Sequence, residues 1–146
     1  MEKTFTLEEA EMLLPVLESL IKRAMEGKQA IEAIDKQLQD LAHRIFLHGG
    51  ILVNVAQVVD RKAARERALQ KIKDAVAEIH ATGVQVKDLD MGLLDFPCQA
   101  EGETVLLCWK FGEGNSIGHW HGQQEGYAGR KPIAELKLRK KTDPRQ

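Results

Sequence analysis

The chain has 146 residues, of which 43% are hydrophobic and 5% aromatic, and its formal net charge is -1. This length fits one domain, the apolar content is too high for intrinsic disorder, and the balanced charge argues against a dedicated nucleic-acid-binding protein. No apolar run approaches the roughly 18 to 20 residues that span a bilayer. The acidic first residues do not resemble a secretory signal, and two cysteines are too few for a disulfide scaffold. We therefore expect a cytoplasmic protein with no membrane partner.

The composition of the chain changes at about Gly83. The residues before it follow a helical pattern, whereas nine of the 12 glycines and both tryptophans lie at or after it. The predicted boundaries are a helical hairpin over about 6–82 and a β-unit over about 83–133, which form one α+β domain over 1–133, and a basic, frayed tail over 134–146. The tail carries five basic side chains from Lys137 onward.

The first predicted helix begins with a capping box, in which Thr6 and Glu9 each accept a hydrogen bond from the other's backbone amide. Apolar residues then recur at alternating spacings of three and four, which is the seam of a coiled coil. The seam positions are Ala10, Leu17, Ala24, Ile31, Leu38 and Ile45 in one set, and Leu13, Leu20, Gly27, Ile34 and Leu41 in the other. About 40 helical residues make a rod of roughly 60 Å. Such a helix needs a partner.

The glycine pair at 49–50 predicts that the chain reverses there, so that a second helix, from about Asn54 to His80, runs antiparallel to the first. Its seam residues are Val55, Val58, Leu69, Ile72, Val76 and Ile79. This antiparallel pairing places Ile72 near Gly27 and Val76 near Ala24, a large side chain against a small one in each case.

A charged stretch over 60–67 interrupts the seam of the second helix. It would lie opposite Ile34 to Leu38 of the first helix. Either this stretch frays, or those apolar residues meet another subunit. The seam therefore predicts a homo-oligomer that forms through the hairpin.

The second half of the chain is predicted to form an antiparallel sheet of three or four strands. The strand candidates are 84–90, 93–98, 103–111 and 117–121. The segment QAEG (99–102) suits a hairpin loop, with Gly102 where a positive φ is needed. Residues 122–132 are predicted to be loop.

The segment GHWHG places His119 and His121 on the same side of a strand, where two imidazoles can hold two positions of a metal shell. Zinc or iron sites need three or four ligands, and Asp88, Asp90 and Asp95 are the candidates to complete the set. Alternatively, one histidine bonds a backbone carbonyl and the other is exposed, or one acts as a general base. A divalent metal ion is therefore a candidate cofactor.

The register of this last strand decides whether the histidines are accessible. If Phe111 lies opposite Ile117, both imidazoles share the apolar face of the sheet, with His119 opposite Trp109 and His121 opposite Leu107. A slip of one residue moves Trp120 to that face and frees the imidazoles. The sequence leaves both registers open.

The segment KDLDMGLLDF places three carboxylates within eight residues. Asp88 and Asp90 can share a strand face and bind a hard cation, or cap turns through nearby amides. Asp95 lies between apolar neighbours in a strand, so its carboxylate needs a partner, for which Lys110 and Arg130 are the candidates.

Two further features have weaker signals. The loop GYAGRK (126–131) offers glycine amides beside Arg130 for a small anionic ligand, or else forms a surface turn in which Arg130 pairs with an acidic neighbour.

Cys98 and Cys108 are expected on one face of the hairpin but several residues out of register, so that no disulfide forms. Cys108 has no adjacent base, and both cysteines are interpreted as packed thiols.

Several of these motifs together resemble a bacterial family that is known as domain of unknown function 2203. The resemblance rests on FTLEEAEMLLP, GVQVKDLDMGLLDFP, VLLCWKFGE, HWH and GYAGRKP, and covers Phe5 to about Ile133. It implies a helical hairpin joined to a small β-unit, and it implies no activity, substrate or cofactor. The positions that match the family pattern are Asp88, Asp90, Gly92, Asp95, Trp109, Trp120, His121, Gly126, Gly129 and Arg130. His119 departs from that pattern, which leaves His121 as the better metal candidate.

The leading functional hypothesis is a non-enzymatic interaction or small-ligand-binding module that self-associates through the hairpin. Its polar pocket in the β-unit is formed by Asp88, Asp95, Trp120, His121 and Arg130. The first alternative is a metal-dependent hydrolase or metal-binding protein, with ligands from His121, His119, Asp88, Asp90 and Asp95. The second is a weak nucleic-acid-binding protein that uses the basic tail, which the neutral net charge disfavours.

Overall fold

A computed structural model describes residues 3–48 and 55–136 of the chain. Two helices, α1 (Leu7–Leu47) and α2 (Val55–Ala81), precede five strands. The strands are β1 (Gln85–Asp88), β2 (Leu93–Ala100), β3 (Glu103–Lys110), β4 (His119–Gly122) and β5 (Lys131–Pro132), with a short 3-10 helix at Tyr127–Gly129 before β5. The α+β class is confirmed, but the sheet has five strands rather than three or four. The missed strand, β5, is only two residues long and contains a proline, so it has no alternating pattern to detect.

The N-terminus of α1 has the predicted capping box. Thr6 Oγ1 accepts from the amide of Glu9 at 3.1 Å, and Glu9 Oε1 accepts from the amide of Thr6 at 2.8 Å. The residue before the cap, Phe5, is buried and donates its amide to the carbonyl of Pro97 in β2 at 2.7 Å. One turn into the helix, Glu11 Oε2 accepts from the amide of Ile117 at 2.8 Å. These contacts attach the start of α1 to the sheet.

The coiled-coil seam of α1 is well packed only in its first part. The buried residues of α1 are Ala10, Leu14, Leu17, Leu20, Ile21, Ala24, Gly27 and Ile34. Leu14 and Ile21 lie outside the predicted seam and are buried because this part of α1 also packs against the sheet. Beyond Ile34, the seam residues Leu38, Leu41 and Ile45 are only half-buried.

The helices pair antiparallel, and the predicted proximity of Gly27 and Ile72 is confirmed. A Cβ atom on Gly27 would lie 2.8 Å from Ile72 Cγ1 and 3.1 Å from the carbonyl oxygen of Ala68. The predicted seam of α2 holds at Ile79, which is buried, and at Ile72, which is half-buried against Gly27. It misses Ala68 and Ala75, which are also buried. Small residues face α1 because they let the two backbones approach closely.

The charged stretch of α2 does not fray. Arg65 Nε lies 2.7 Å from Asp35 Oδ1, and Arg61 Nη1 donates to Gln37 Oε1 at 3.4 Å. Polar side chains of both helices thus meet where the apolar seam of α2 is interrupted. The reversal at 49–50 and the predicted cap Asn54 lie outside the described residues.

The sheet has the strand order β1-β2-β3-β4-β5, with antiparallel neighbours throughout. One face packs on the helices, and its core residues include Leu94, Phe96, Val105, Leu107 and Trp109. Ala100 pairs with Glu103, so the turn consists of Glu101 and Gly102, both with positive φ, rather than the predicted four-residue QAEG loop. This is the two-residue turn that fits the twist of paired strands.

The register of β4 follows the one-residue slip that the sequence left open. Leu107 pairs with Trp120, Leu106 with His121, and Cys108 with His119. Trp120 therefore joins the core, and the imidazoles lie on the opposite face of the sheet.

Among the described residues, neither helix combines the length and the apolarity that a membrane span requires.

The C-terminal end of the described residues packs on the core. Leu136, which the sequence assigns to the frayed tail, is buried in the core. Residues 137–146, with the basic side chains of the tail, lie outside the described residues.

Candidate functional site

The sheet face away from the helices carries three buried ionisable side chains from three adjacent strands. They are Asp95 on β2, Cys108 on β3 and His121 on β4, with exposed fractions of 2%, 1% and 3%. Asp95 pairs directly with Cys108 in the β2–β3 ladder, and His121 lies in β4 two residues from the residue that pairs with Cys108, and therefore on the same face of the sheet. One ligand atom from each residue lies within 4.8 Å of the other two. We call these three residues the Asp-Cys-His cluster.

The imidazole of His121 is held at both ring nitrogens. Nδ1 lies 2.8 Å from the carbonyl oxygen of Gly122, which can only accept, so Nδ1 carries a proton. Nε2 lies 3.1 Å from Asp95 Oδ1. One proton lies between these two atoms. A backbone carbonyl on the far nitrogen is also the usual support of a metal-binding histidine, because it fixes the ring and leaves Nε2 for the metal.

The thiol of Cys108 is neutral over the physiological pH range. Burial, together with the negative charge of Asp95, raises its pKa to about 11, against a smaller opposite effect of Arg130. A reactive cysteine needs a lowered pKa, so this environment does not suit a free nucleophile. A bound cation reverses that preference, since a coordinating thiol loses its proton.

The segment between β4 and β5 forms one wall of an open cavity of about 210 Å³ beside the cluster. Glu125 holds this segment in place, since its Oε1 accepts from the Gly122 amide at 2.8 Å and from Lys131 Nζ at 3.0 Å. The cavity is lined by Asp95, Cys108 and His121 together with Lys87, Leu93, Leu106, Gln123, Glu125, Gly126 and Tyr127. The cluster thus has an access path on one side.

Arg130 lies beside the cluster, and its charge is already paired. Its Nη2 donates to Glu113 Oε1 at 2.8 Å and to the carbonyl oxygen of Cys108 at 3.2 Å. Burial alone would raise the pKa of Glu113, but hydrogen bonds from Arg130 and the Lys110 amide bring it below its ordinary value. The guanidinium also stacks on Tyr127, 4.8 Å from the ring centroid. Of the two interpretations of Arg130, pairing with an acidic neighbour is confirmed.

A family model described as an uncharacterized conserved protein (DUF2203) matches residues 3–133. The chain belongs to this family. All three residues of the Asp-Cys-His cluster lie inside the matched region. Comparisons with curated proteins and with solved structures give no match.

The structure places the other residues predicted for the site elsewhere. Asp88 Oδ1 accepts from the amides of Asp90 and Met91, so Asp88 caps a turn, and Asp90 pairs with Lys28 at 2.6 Å. Neither carboxylate joins His121. Trp120 lies on the core side of the sheet, where its Nε1 donates to the carbonyl of Pro132. The predicted pocket residues Asp88 and Trp120, and the predicted metal ligand Asp90, therefore lie apart from the Asp-Cys-His cluster.

His119 shares the face of the cluster but does not belong to it. It pairs with Cys108 across the β3–β4 ladder. Its Nδ1 is buried and has no hydrogen-bond partner among the described residues. Asp95 also has a different partner from those expected, because His121, rather than Lys110 or Arg130, contacts its carboxylate.

Cys108 is the site residue that the sequence reasoning missed. A four-residue QAEG loop places Cys108 opposite Leu93, whereas the two-residue turn moves the register and places it opposite Asp95. The expectation that both cysteines share a face is wrong, because Cys98 pairs with Val105 on the core side. Cys98 and Cys108 form no disulfide, as predicted. The signal that was available is Glu101-Gly102, since glycine at the second turn position favours the two-residue hairpin.

Proposed function

We propose that this protein binds a divalent transition metal of the zinc class through Asp95, Cys108 and His121. The observation that carries the proposal is the convergence of a carboxylate, a thiol and an imidazole, all almost fully buried, within 4.8 Å. Tetrahedral zinc with bonds of about 2.0 to 2.3 Å separates its ligand atoms by roughly 3.3 to 3.8 Å. Small shifts of the three side chains therefore complete the site.

The donor set favours a particular class of metal. Thiolate and imidazole ligands select zinc and related transition metals over magnesium and calcium, which prefer oxygen. The metal takes the place of the proton between His121 and Asp95 and of the thiol proton of Cys108. Three protein ligands leave a fourth position open, on the side where the cavity of about 210 Å³ lies.

Metal analysis of protein purified without an affinity tag tests this proposal. We expect one equivalent of zinc or, after exchange, of cobalt, with a thiolate-to-cobalt charge-transfer band in the near ultraviolet. Cys108→Ser removes that band, and His121→Ala weakens metal uptake strongly. Cys98→Ser is the matched control, because Cys98 lies on the core side of the sheet, and it retains both. Failure of the folded wild-type protein to take up either metal contradicts the proposal.

A second proposal is self-association through the C-terminal part of α1 and the N-terminal part of α2. Four large apolar side chains are exposed there: Phe46 (81%), Leu47 (61%), Val55 (68%) and Val59 (60%). The heptad pattern of α1 continues in this region, where α2 offers charged residues such as Arg61 and Arg65. A second copy of the chain supplies the same apolar surface and therefore matches it, as in other isologous contacts.

Light scattering coupled to size-exclusion chromatography tests the second proposal. We expect a dimer for the wild-type chain and a monomer for the double variant Phe46→Glu and Val59→Glu. Met12→Glu is the control, because Met12 is equally exposed, at 80%, near the other end of α1. A monomeric wild-type protein at tens of micromolar contradicts it.

A metal-dependent hydrolase is a narrower form of the first proposal, since it adds a substrate at the fourth metal position. Nucleic-acid binding through the tail stays a prediction, since residues 137–146 lie outside the described residues. Salt-dependent binding that is lost on truncation after Leu136 is its test.

A further inference from the structure

We propose that the cavity beside the Asp-Cys-His cluster binds a small oxyanion, with a carboxylate or phosphate oxygen on the metal and its charge against Lys87. This inference rests on the proposed metal site. Lys87 lines the same cavity as Asp95, Cys108 and His121. The ligand is thus recognised at two points, by the metal and by one cation.

The position of Lys87 is the first argument. The β1–β2 register shifts between Val86 and Asp88, so that Lys87 is the extra residue of a β-bulge. Bulges redirect a side chain and occur frequently beside functional sites. Lys87 is exposed and forms no ion pair with any residue in the described part of the chain. Its ammonium group is therefore available to a ligand.

The charge balance of the cavity is the second argument. A divalent metal with the carboxylate of Asp95 and the thiolate of Cys108 is neutral overall. Glu125 is paired with Lys131 at 3.0 Å, and Arg130 with Glu113 at 2.8 Å. Lys87 then gives the site a net charge of one positive unit, which a monoanion neutralises.

The size of the cavity limits the ligand. Pockets for drug-sized ligands have volumes of about 300 to 1,000 Å³, and this cavity has about 210 Å³. Leu93, Leu106 and Tyr127 form apolar parts of its wall. A small carboxylate or a phosphate group fits, and its apolar part, if it has one, lies against these side chains.

Titration of the cobalt-loaded full chain with acetate and, separately, with inorganic phosphate tests the inference. An oxygen that enters the fourth position changes the visible d–d bands of cobalt, so we expect a saturable spectral change with at least one of the anions. The anion that binds more tightly identifies the source as carboxylate or phosphate. Lys87→Gln weakens this binding about tenfold, because a charge-assisted contact is lost.

Lys110→Gln is the matched control for the anion titration. Lys110 lies on β3 against the ring of Tyr127, 5.9 Å from the centroid, and does not line the cavity. It keeps the wild-type anion affinity, and both lysine variants keep full cobalt uptake. A cobalt-loaded protein with unchanged spectra in both anions, or equal affinities of Lys87→Gln and wild type, overturns the inference while the metal site stands. Absence of cobalt uptake overturns both.

Discussion

His121 Nε2 and Asp95 Oδ1 lie 3.1 Å apart across the sheet, although their residues are 26 positions apart in the chain. Both side chains are almost fully buried. Burial of an ionisable pair carries a desolvation penalty that its mutual attraction often fails to exceed, so apolar residues of similar size are frequently at least as stabilising. This tendency favours the proposed metal site over a purely stabilising role for the pair, and the two roles predict different outcomes.

The first prediction separates binding from stability at this pair. His121→Leu leaves the Asp95 carboxylate buried without its partner and is expected to lower the free energy of unfolding by about 3 to 5 kcal/mol. The double variant Asp95→Leu and His121→Leu is expected to recover this loss while it binds no metal. Urea unfolding of the metal-free proteins measures the difference. A double variant as unstable as the single one would mean that the pair is structural.

The second prediction concerns metal addition. Ligand at 100 times its dissociation constant stabilises the folded state by about 2.7 kcal/mol. For a chain of this size, that corresponds to a rise in melting temperature of about 5 to 10 °C. We expect zinc to produce this rise and a chelator to reverse it. Cys108→Ser abolishes the rise and Cys98→Ser preserves it; a rise that persists in Cys108→Ser contradicts the assigned ligand.

The third prediction follows from the raised pKa of Cys108. The thiol loses its proton near its ordinary value of 9.0 in the unfolded chain but only at about 11 in the folded, metal-free protein. The unfolded state therefore releases its proton first, so the contribution of Cys108 to stability is complete below pH 9 and is lost as the pH rises toward 11. Urea midpoints measured from pH 7.5 to 10.5 are expected to fall more steeply for wild type than for Cys108→Ala. Parallel curves argue against this shift.

The fourth prediction concerns the contact between the helices. In Gly27→Ala, the new Cβ meets Ile72 Cγ1 at 2.8 Å and the Ala68 carbonyl oxygen at 3.1 Å. Overpacking costs about 1 to 3 kcal/mol, against a gain of about 1 kcal/mol in helix propensity. We expect a net loss of about 1 kcal/mol in thermal or urea unfolding. Gly118→Ala serves as the control, since a Cβ there meets no atom within 4 Å, and it stays close to wild type.

Much of the helical half was predictable because its signals are local. The capping box of Thr6 and Glu9 involves residues three positions apart, and the seam follows from the helical period. Antiparallel pairing of the helices then places Gly27 against Ile72. The burial of Ala68 and Ala75 in α2 was not predictable, because these alanines face α1 for close approach rather than for hydrophobicity. The two-residue β5 had no pattern of its own.

The sequence by itself determined the α+β class, the order of the elements, the family and the candidacy of Asp95 and His121. Only the tertiary structure decided which side chains meet. Side chains alternate between the faces of a sheet, so a shift of one residue in β4 exchanges Trp120 for the two imidazoles. Burial of Trp120 in the core selects the observed register. That register, with the two-residue turn after β2, brings Cys108 between Asp95 and His121.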